Sequence, residues 1–181
     1  MKHPVNIAAN RKSKKYSLRE LVARAAWGPG SLLFRIIPRP FFAIRCALLR
    51  LFGARIGREV HIHPTARIFL PWQLSIGDYS AIGDRVILYN LGYVTIGSRT
   101  TVSQHVHLCA GTHDYRDPTF PLVRLPITIG DDVWVCADAF LGPGVSVGHR
   151  AIVAARGVVV RDVPEGVIAA GNPAQVVKSR D

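Results

Sequence analysis

From Ile56 onward an aliphatic side chain returns every sixth residue, at Ile62, Ile68 and Leu74, then after a step of two at Ile76, Ile82, Leu88 and Val94. A second two-residue step leads to Ile96, Val102 and Leu108. Past an interruption, the spacing resumes at Ile129, Val135, Leu141, Val147, Val153 and Val159. The following position is often small, as at Gly57, Gly77, Gly83, Gly97, Ser103, Gly130, Cys136, Gly142, Gly148 and Ala154. A period of six fits neither the 3.6 residues of a helical turn nor plain alternation along a strand. It fits a parallel β-helix, in which each hexapeptide supplies one flat face and a corner, three hexapeptides close a coil, and stacked coils bury the recurring aliphatic residue in a shared column. The steps Leu74-Ser75-Ile76 and Val94-Thr95-Ile96 read as small loops at one corner. The stretch 114–126 is too long for a corner and is expected to leave the helix, with His113 the last residue before it.

Ahead of the repeats the pattern turns helical. Residues 1–16 are basic and polar and are expected to be disordered. Ser17 to Glu20 has capping-box spacing, with Leu18, Leu21, Val22 and Ala25 on one side of a short helix that Gly28-Pro29-Gly30 would end. A second helical segment is expected after Ser31, stopping before Pro38. In a third, from Phe41 to Phe52, the residues Phe41, Ile44, Leu48, Leu51 and Phe52 would form the apolar face, with Arg50 opposite and Gly53 as the cap. The chain thus divides into an arm over 1–55, a β-helix over 56–165 and a tail over 166–181.

Charge sharpens this division. The 181-residue chain carries 23 Lys and Arg, and 12 of them fall in residues 1–55, where Glu20 is the single acid. The whole net charge of +11 therefore belongs to the arm, and the repeats are neutral, which gives no reason to expect nucleic-acid binding. The arm's helices can cap the open first coil of the stack, as repeat proteins require. They can also present a basic amphipathic surface to anionic lipid, and the two roles are compatible. The apolar segments are cut by Arg24, Arg35, Arg39, Arg45 and Arg50, so none reaches the ~18 residues needed to span a bilayer. Cys46, Cys109 and Cys136 are odd in number and lack metal-type spacing, which points to buried small hydrophobes and a cytoplasmic protein.

The hexapeptide array, the loop after His113, the resumption at PITIGDDVW and the ending AGNPAQVVK together resemble the hexapeptide-repeat O-acetyltransferases, and within them the colanic-acid biosynthesis branch. The resemblance covers about residues 56–178. It implies a left-handed β-helix, a homotrimer with active sites between neighbouring subunits, and acetyl-CoA as donor. It also implies His113 as general base, because Thr112-His113-Asp114 matches the segment carrying the catalytic histidine. A sugar hydroxyl is a poor nucleophile at neutral pH, and an imidazole titrating near 6.5 is suited to take its proton as a thioester is attacked. On the acceptor side the candidates are Asn90, with an ordinary corner role as its alternative, Asp114, which is also a candidate to orient His113, and His107, for which an interface role is favoured. On the donor side Ala137 and Ala155 match groove positions, Arg161 stands where the relatives usually have Lys, and Lys178 matches a basic position near the nucleotide phosphates. Trp134 is expected at the groove edge or a subunit contact. Gln175 departs from the pattern, since AGNPA is commonly followed by Arg or Lys, so that contact shifts to Arg156 or Arg180. The pairs His61/His63 and His105/His107 permit a shared strand face, but nothing completes a ligand set and no metal is expected. The expected activity is O-acetylation of a carbohydrate acceptor, a polysaccharide precursor, in the cytoplasm or at the inner face of the membrane. Acyl transfer to an amino sugar or amino acid, and a non-catalytic β-helix scaffold, are the alternatives.

Overall fold

A computed structural model describes residues 5–181; residues 1–4, which fall in the segment expected to be disordered, lie outside the described residues. Three helices precede a stack of coils whose strands form three parallel faces. The first face contains Arg55–Ile56, Leu74–Ile76, Val94–Ile96, Ile127–Ile129 and Ser146–Val147. The second contains His61–Ile62, Ala81–Ile82, Thr101–Val102, Trp134–Val135 and Ile152–Val153. The third contains Arg67–Ile68, Ile87–Tyr89, His107–Cys109, Phe140–Leu141 and Val158–Val159.

The register places each aliphatic residue of the six-residue pattern over its counterpart. Ile56, Ile76, Ile96, Ile129 and Val147 stack on the first face. Ile62, Ile82, Val102, Val135 and Val153 stack on the second, and Ile68, Leu88, Leu108, Leu141 and Val159 on the third. All are at most 9% exposed. The small slots follow from coil spacing: a Cβ added at Gly77 would lie 2.6 Å from the backbone nitrogen of Ser98 on the next coil. Leu74-Ser75-Ile76 and Val94-Thr95-Ile96 are not corner loops. Each is a single strand with two inward residues, and the surplus length lies in the corner before it, as in the 3₁₀ turn Pro71–Gln73. The tail adds Val167–Gly171 to the second face and folds back antiparallel through Ala174–Ser179.

The arm departs from expectation in three ways. First, residues 5–16 include a helix, α1 (Ile7–Lys12), seated against the inserted loop. Second, Gly28-Pro29-Gly30 ends nothing, because α2 runs unbroken from Leu18 to Ile36 with Pro29 inside. Burial of Trp27, Gly30 and Phe34 along one face overrides the local propensity. Gly30 is where the helix meets its neighbours, since a Cβ there would lie 2.8 Å from the Phe52 ring. Ser17 does cap α2, accepting from the Glu20 N–H at 3.2 Å. Third, α3 (Phe42–Leu51) turns inward the face of Arg45, Cys46 and Leu49, leaving Phe41, Ile44 and Leu51 exposed.

The reason lies at the bottom of the stack. A first coil has no coil beneath it, so its downward carbonyls need other donors. Side chains of α2 and α3 supply them. Arg50 donates from Nε to Ile56 O at 3.0 Å and from Nη2 to Gly57 O at 2.7 Å. Cys46 Sγ lies 3.2 Å from Val60 O, Arg45 Nε donates to Ile62 O at 2.9 Å, and Trp27 Nε1 donates to Ile68 O at 2.8 Å. The rest of the Arg45 guanidinium bonds the carbonyls of Ile37, Pro38 and Arg39, which holds the turn between α2 and α3. Arg45 is fully buried, and burial draws its pKa below the ordinary arginine value. Among the described residues, no helix is long and apolar enough to cross a membrane.

Arg45→Met keeps an unbranched apolar stem and removes every donor. Stranding buried carbonyls should cost about 3 kcal/mol or more, read as a lower urea midpoint. An unchanged midpoint would show that water serves these carbonyls equally well.

Candidate active site

The insertion is a hairpin. The chain leaves the coil after Ala110, Gly111–His113 pairs antiparallel with Leu122–Arg124, and Ile127 resumes the first face. His113 therefore lies outside the coil, within the hairpin, rather than being the last residue before the chain leaves the coil. Cross-strand partners share a face of a hairpin, so His113, opposite Leu122, lies diagonal to Arg124, opposite Gly111, on one side.

At the hairpin's tip, Asp117 to Phe120 form a turn closed by Phe120 N–H to Asp117 O at 2.9 Å, with the Asp117 carboxylate accepting from Thr119 N–H and Oγ1. Those bonds hold the Asp117 carboxyl below its usual pKa. Phe120 takes a left-handed backbone with φ of 48°, a conformation uncommon for a bulky residue. Its carbonyl points back at His113, 2.7 Å from Nδ1. A carbonyl only accepts, so Nδ1 carries the proton, and in the neutral ring Nε2 holds the free lone pair. Asp114 does not orient the imidazole. Its carboxylate accepts from the Arg116 N–H at 3.0 Å in a local turn.

The arm closes over this hairpin. Glu20 lies 3.0 Å from Arg124 Nη2 and 3.7 Å from Arg24 Nη1. Tyr16 lies beneath both guanidinium groups, 4.4 Å from Arg24 and 5.3 Å from Arg124. Glu20 Oε1 and Arg24 Nη1 are buried yet lack hydrogen-bond geometry to any partner in the described structure. No motif in the sequence marks Tyr16, Glu20, Arg24, Arg124 or Phe120 as site residues. The capping-box spacing marked Glu20 only as a helix residue.

The remaining candidates separate. Asn90 is fully buried at a corner, with Oδ1 accepting from Phe69 and Leu70 N–H at 3.1 Å and Nδ2 donating to Leu70 O at 2.6 Å. Its carboxamide serves the neighbouring coil's backbone and presents nothing to an acceptor. His107 lies outward on the third face between Tyr89 and Phe140, with ring centroids 6.4 Å and 5.4 Å away. Its Nε2 is buried without a partner, and burial lowers its pKa. Ala137, Ala155 and Arg156 share the corner between the second and third faces, where Arg156 N–H donates to Ala137 O at 2.9 Å. Trp134 stands on the strand leading to that corner, 48% exposed, its Nε1 donating to Ser103 Oγ at 2.9 Å. Arg161 instead turns into the corner after the third face, and Lys178 sits on the last strand opposite Ile168. Arg180 donates from Nη1 to the carbonyls of Asp132 and Arg150 at 2.7 and 2.8 Å. The histidine pairs do not act together: His61 stacks on Phe42, His63 bonds Thr65, and His105 sits at a left-handed corner away from the strand of His107. Among the described residues, no three His, Cys, Asp or Glu side chains are placed to hold a metal ion.

No model of a known protein family matches the chain. It is 42% identical over 154 residues, 85% of each chain, to an Escherichia coli K12 protein described as a colanic acid biosynthesis acetyltransferase. It is 26% identical over 137 residues to the galactoside O-acetyltransferase of the same organism, covering 74% of this chain and 68% of that one. A hexapeptide-repeat acetyltransferase of Vibrio cholerae, solved with acetyl coenzyme A, superposes with a TM-score of 0.85 at 26% identity, covering 93% of this chain and 92% of that one.

The buried His107 yields a prediction about acid. An unfolded chain binds its proton as pH falls through about 6.5, whereas the folded chain binds it only at lower pH. This contribution to stability is fully present above about 6.5 and is lost as pH falls from there toward the lowered folded value. Melting temperature between pH 7.5 and 5.5 should therefore fall less in His107→Phe than in the parent, and equal falls would count against it.

Proposed function

Because the chain belongs to the hexapeptide-repeat acetyltransferases, we propose that it moves the acetyl group of acetyl-CoA directly to a hydroxyl of a carbohydrate, a precursor of a surface or exported polysaccharide. The observation that carries this reading is the bond between His113 Nδ1 and Phe120 O, which leaves Nε2 as the base. The acceptor oxygen attacks the thioester carbonyl as its proton passes to Nε2. The tetrahedral intermediate then collapses, the C–S bond breaks, and the thiolate of CoA takes up the proton. The cluster of Glu20, Arg24 and Arg124 lies beside the hairpin that carries His113, and such charged side chains suit a hydroxyl-rich acceptor, since sugar hydroxyls both donate and accept. The small residues Ala137 and Ala155, with Arg156 beside them, suit the thin amide-bearing arm and the phosphates of the donor. Three chains assemble about a threefold axis, so that one subunit's donor groove meets its neighbour's base.

The arm adds a second element to this proposal, peripheral contact with anionic lipid. Leu18, Val22, Leu32 and Ile36 are 62–74% exposed and recur along one side of α2. This apolar stripe is ~28 Å long at the helical rise per residue. Arg19, Arg35 and Arg39, all exposed, lie on or next to the helix. That combination suits a helix lying in the headgroup layer, where membrane-linked saccharides are presented.

Two measurements test these readings. Thiol release with a panel of sugars should fall ~10²-fold or more in His113→Ala with little change in the KM for acetyl-CoA, while the protein scatters light as three 19.8 kDa chains. An active His113→Ala enzyme removes the base, and a fully active monomer removes the shared site. The protein should also sediment with vesicles containing acidic lipid but not neutral ones, less so at high salt and less so in Leu32→Glu/Ile36→Glu. Equal partitioning to both vesicles, or none, would leave α2 as a cap only.

A further inference from the structure

The carbonyl that orients His113 belongs to a half-buried turn outside the ladder of the coil stack. Three consecutive carbonyls of that turn are instead held by the N-terminal segment. Asn6 N–H donates to Pro118 O at 2.7 Å, and Asn10 Nδ2 donates to Thr119 O at 2.6 Å and to Phe120 O at 2.7 Å. Asn10 is 9% exposed, and its Oδ1 accepts from Lys15 Nζ at 2.5 Å, so all its polar groups are engaged. Phe120 O thereby accepts two bonds, one from Asn10 and one from His113 Nδ1, which use its two lone pairs.

From this shared carbonyl we infer that Asn10 is a positioning residue for the acetyl transfer. Its carboxamide fixes the direction of Phe120 O and through it the tautomer and ring angle of His113. This rests on the assignment of His113 as base. The chemistry requires a carboxamide here. An aspartate at position 10 would keep the shape and the Lys15 contact, yet would set anionic oxygens against the carbonyls of Thr119 and Phe120. The left-handed backbone of Phe120 supplies the need for such a brace, because an uncommon conformation persists only where its surroundings hold it. It follows that removing residues 1–16 removes the brace and should lower acetyl transfer.

The test is a double-mutant cycle on the full-length protein with acetyl-CoA and an accepted sugar. Asn10→Asp and Asn10→Ala should each lower kcat about ten- to a hundredfold, with the KM for acetyl-CoA and the melting temperature near those of the parent. In the His113→Ala background neither should lower the residual rate further, because there is no imidazole left to orient. A kcat within twofold of the parent overturns the inference, as does an equal loss in both backgrounds or a parallel rise in the KM for acetyl-CoA, each of which marks Asn10 as merely structural. A fully active His113→Ala enzyme overturns the base assignment and this inference together, so the two failures are distinguishable.

Discussion

A coil in this protein has no stability of its own, because its main-chain donors and acceptors are satisfied by the coils above and below. Gly57 N–H reaches Ile76 O, Gly77 N–H reaches Ile96 O, Gly97 N–H reaches Ile129 O and Gly130 N–H reaches Val147 O, each at 2.8 Å. The corners add a ladder of buried hydroxyls. Ser80 Oγ donates to Gly97 O at 2.7 Å and accepts from Thr100 N–H at 3.0 Å, and Thr100 Oγ1 repeats the arrangement with Gly130 O and Val133 N–H. Buried polar groups left without partners cost too much for the stack simply to stop. Both the bottom cap and the return of the inserted hairpin to register at Ile127 answer that one requirement.

The bottom cap shows how far the requirement reaches. Burying the charge of Arg45 opposes folding, but four carbonyls converge on its guanidinium, and the geometry of those bonds offsets the lost hydration. Once Arg45, Cys46 and Leu49 face inward, the helical period forces Ile44 and Leu51 out. The exposed apolar residues of the arm are thus partly a consequence of capping, and a surface produced for one reason is available for another.

The columns were legible in the sequence because column packing admits one residue class at one spacing, and every aliphatic residue named there lies inside. What failed was local reading of non-local demand. Pro29 and its flanking glycines look like a helix end, but Trp27 and Phe34 bind both halves of α2 into one buried face. Phe41, Ile44 and Leu51 look like the buried side of α3, but the first coil's carbonyls required an arginine there. Asn90 matched an acceptor position by motif, and its carboxamide proves to serve the backbone of the neighbouring coil. At the candidate site, the motif pointed to Thr112-His113-Asp114, and nothing local marked the groups that the fold brings to His113. Asn10 and Phe120 are separated by 110 positions, and no periodicity brings such residues together.

An imidazole oriented by a main-chain carbonyl is only as well placed as the turn that carries the carbonyl. The ladder between coils breaks after Ala110 and resumes at Ile127, so the hairpin's rigidity has to come from elsewhere. Its own antiparallel pairs hold the base of the hairpin, and the Asp117 turn holds the tip, but neither fixes the tip against the stack. Contacts to a segment itself tied to the stack do so. The arm qualifies, since α2 is anchored through Trp27 to Ile68 O and meets the hairpin through Glu20 and Arg124. Capping the first coil and steadying the hairpin are then one mechanical arrangement. The same helix that satisfies the open carbonyls also gives the N-terminal segment a fixed point from which to hold the turn beside His113.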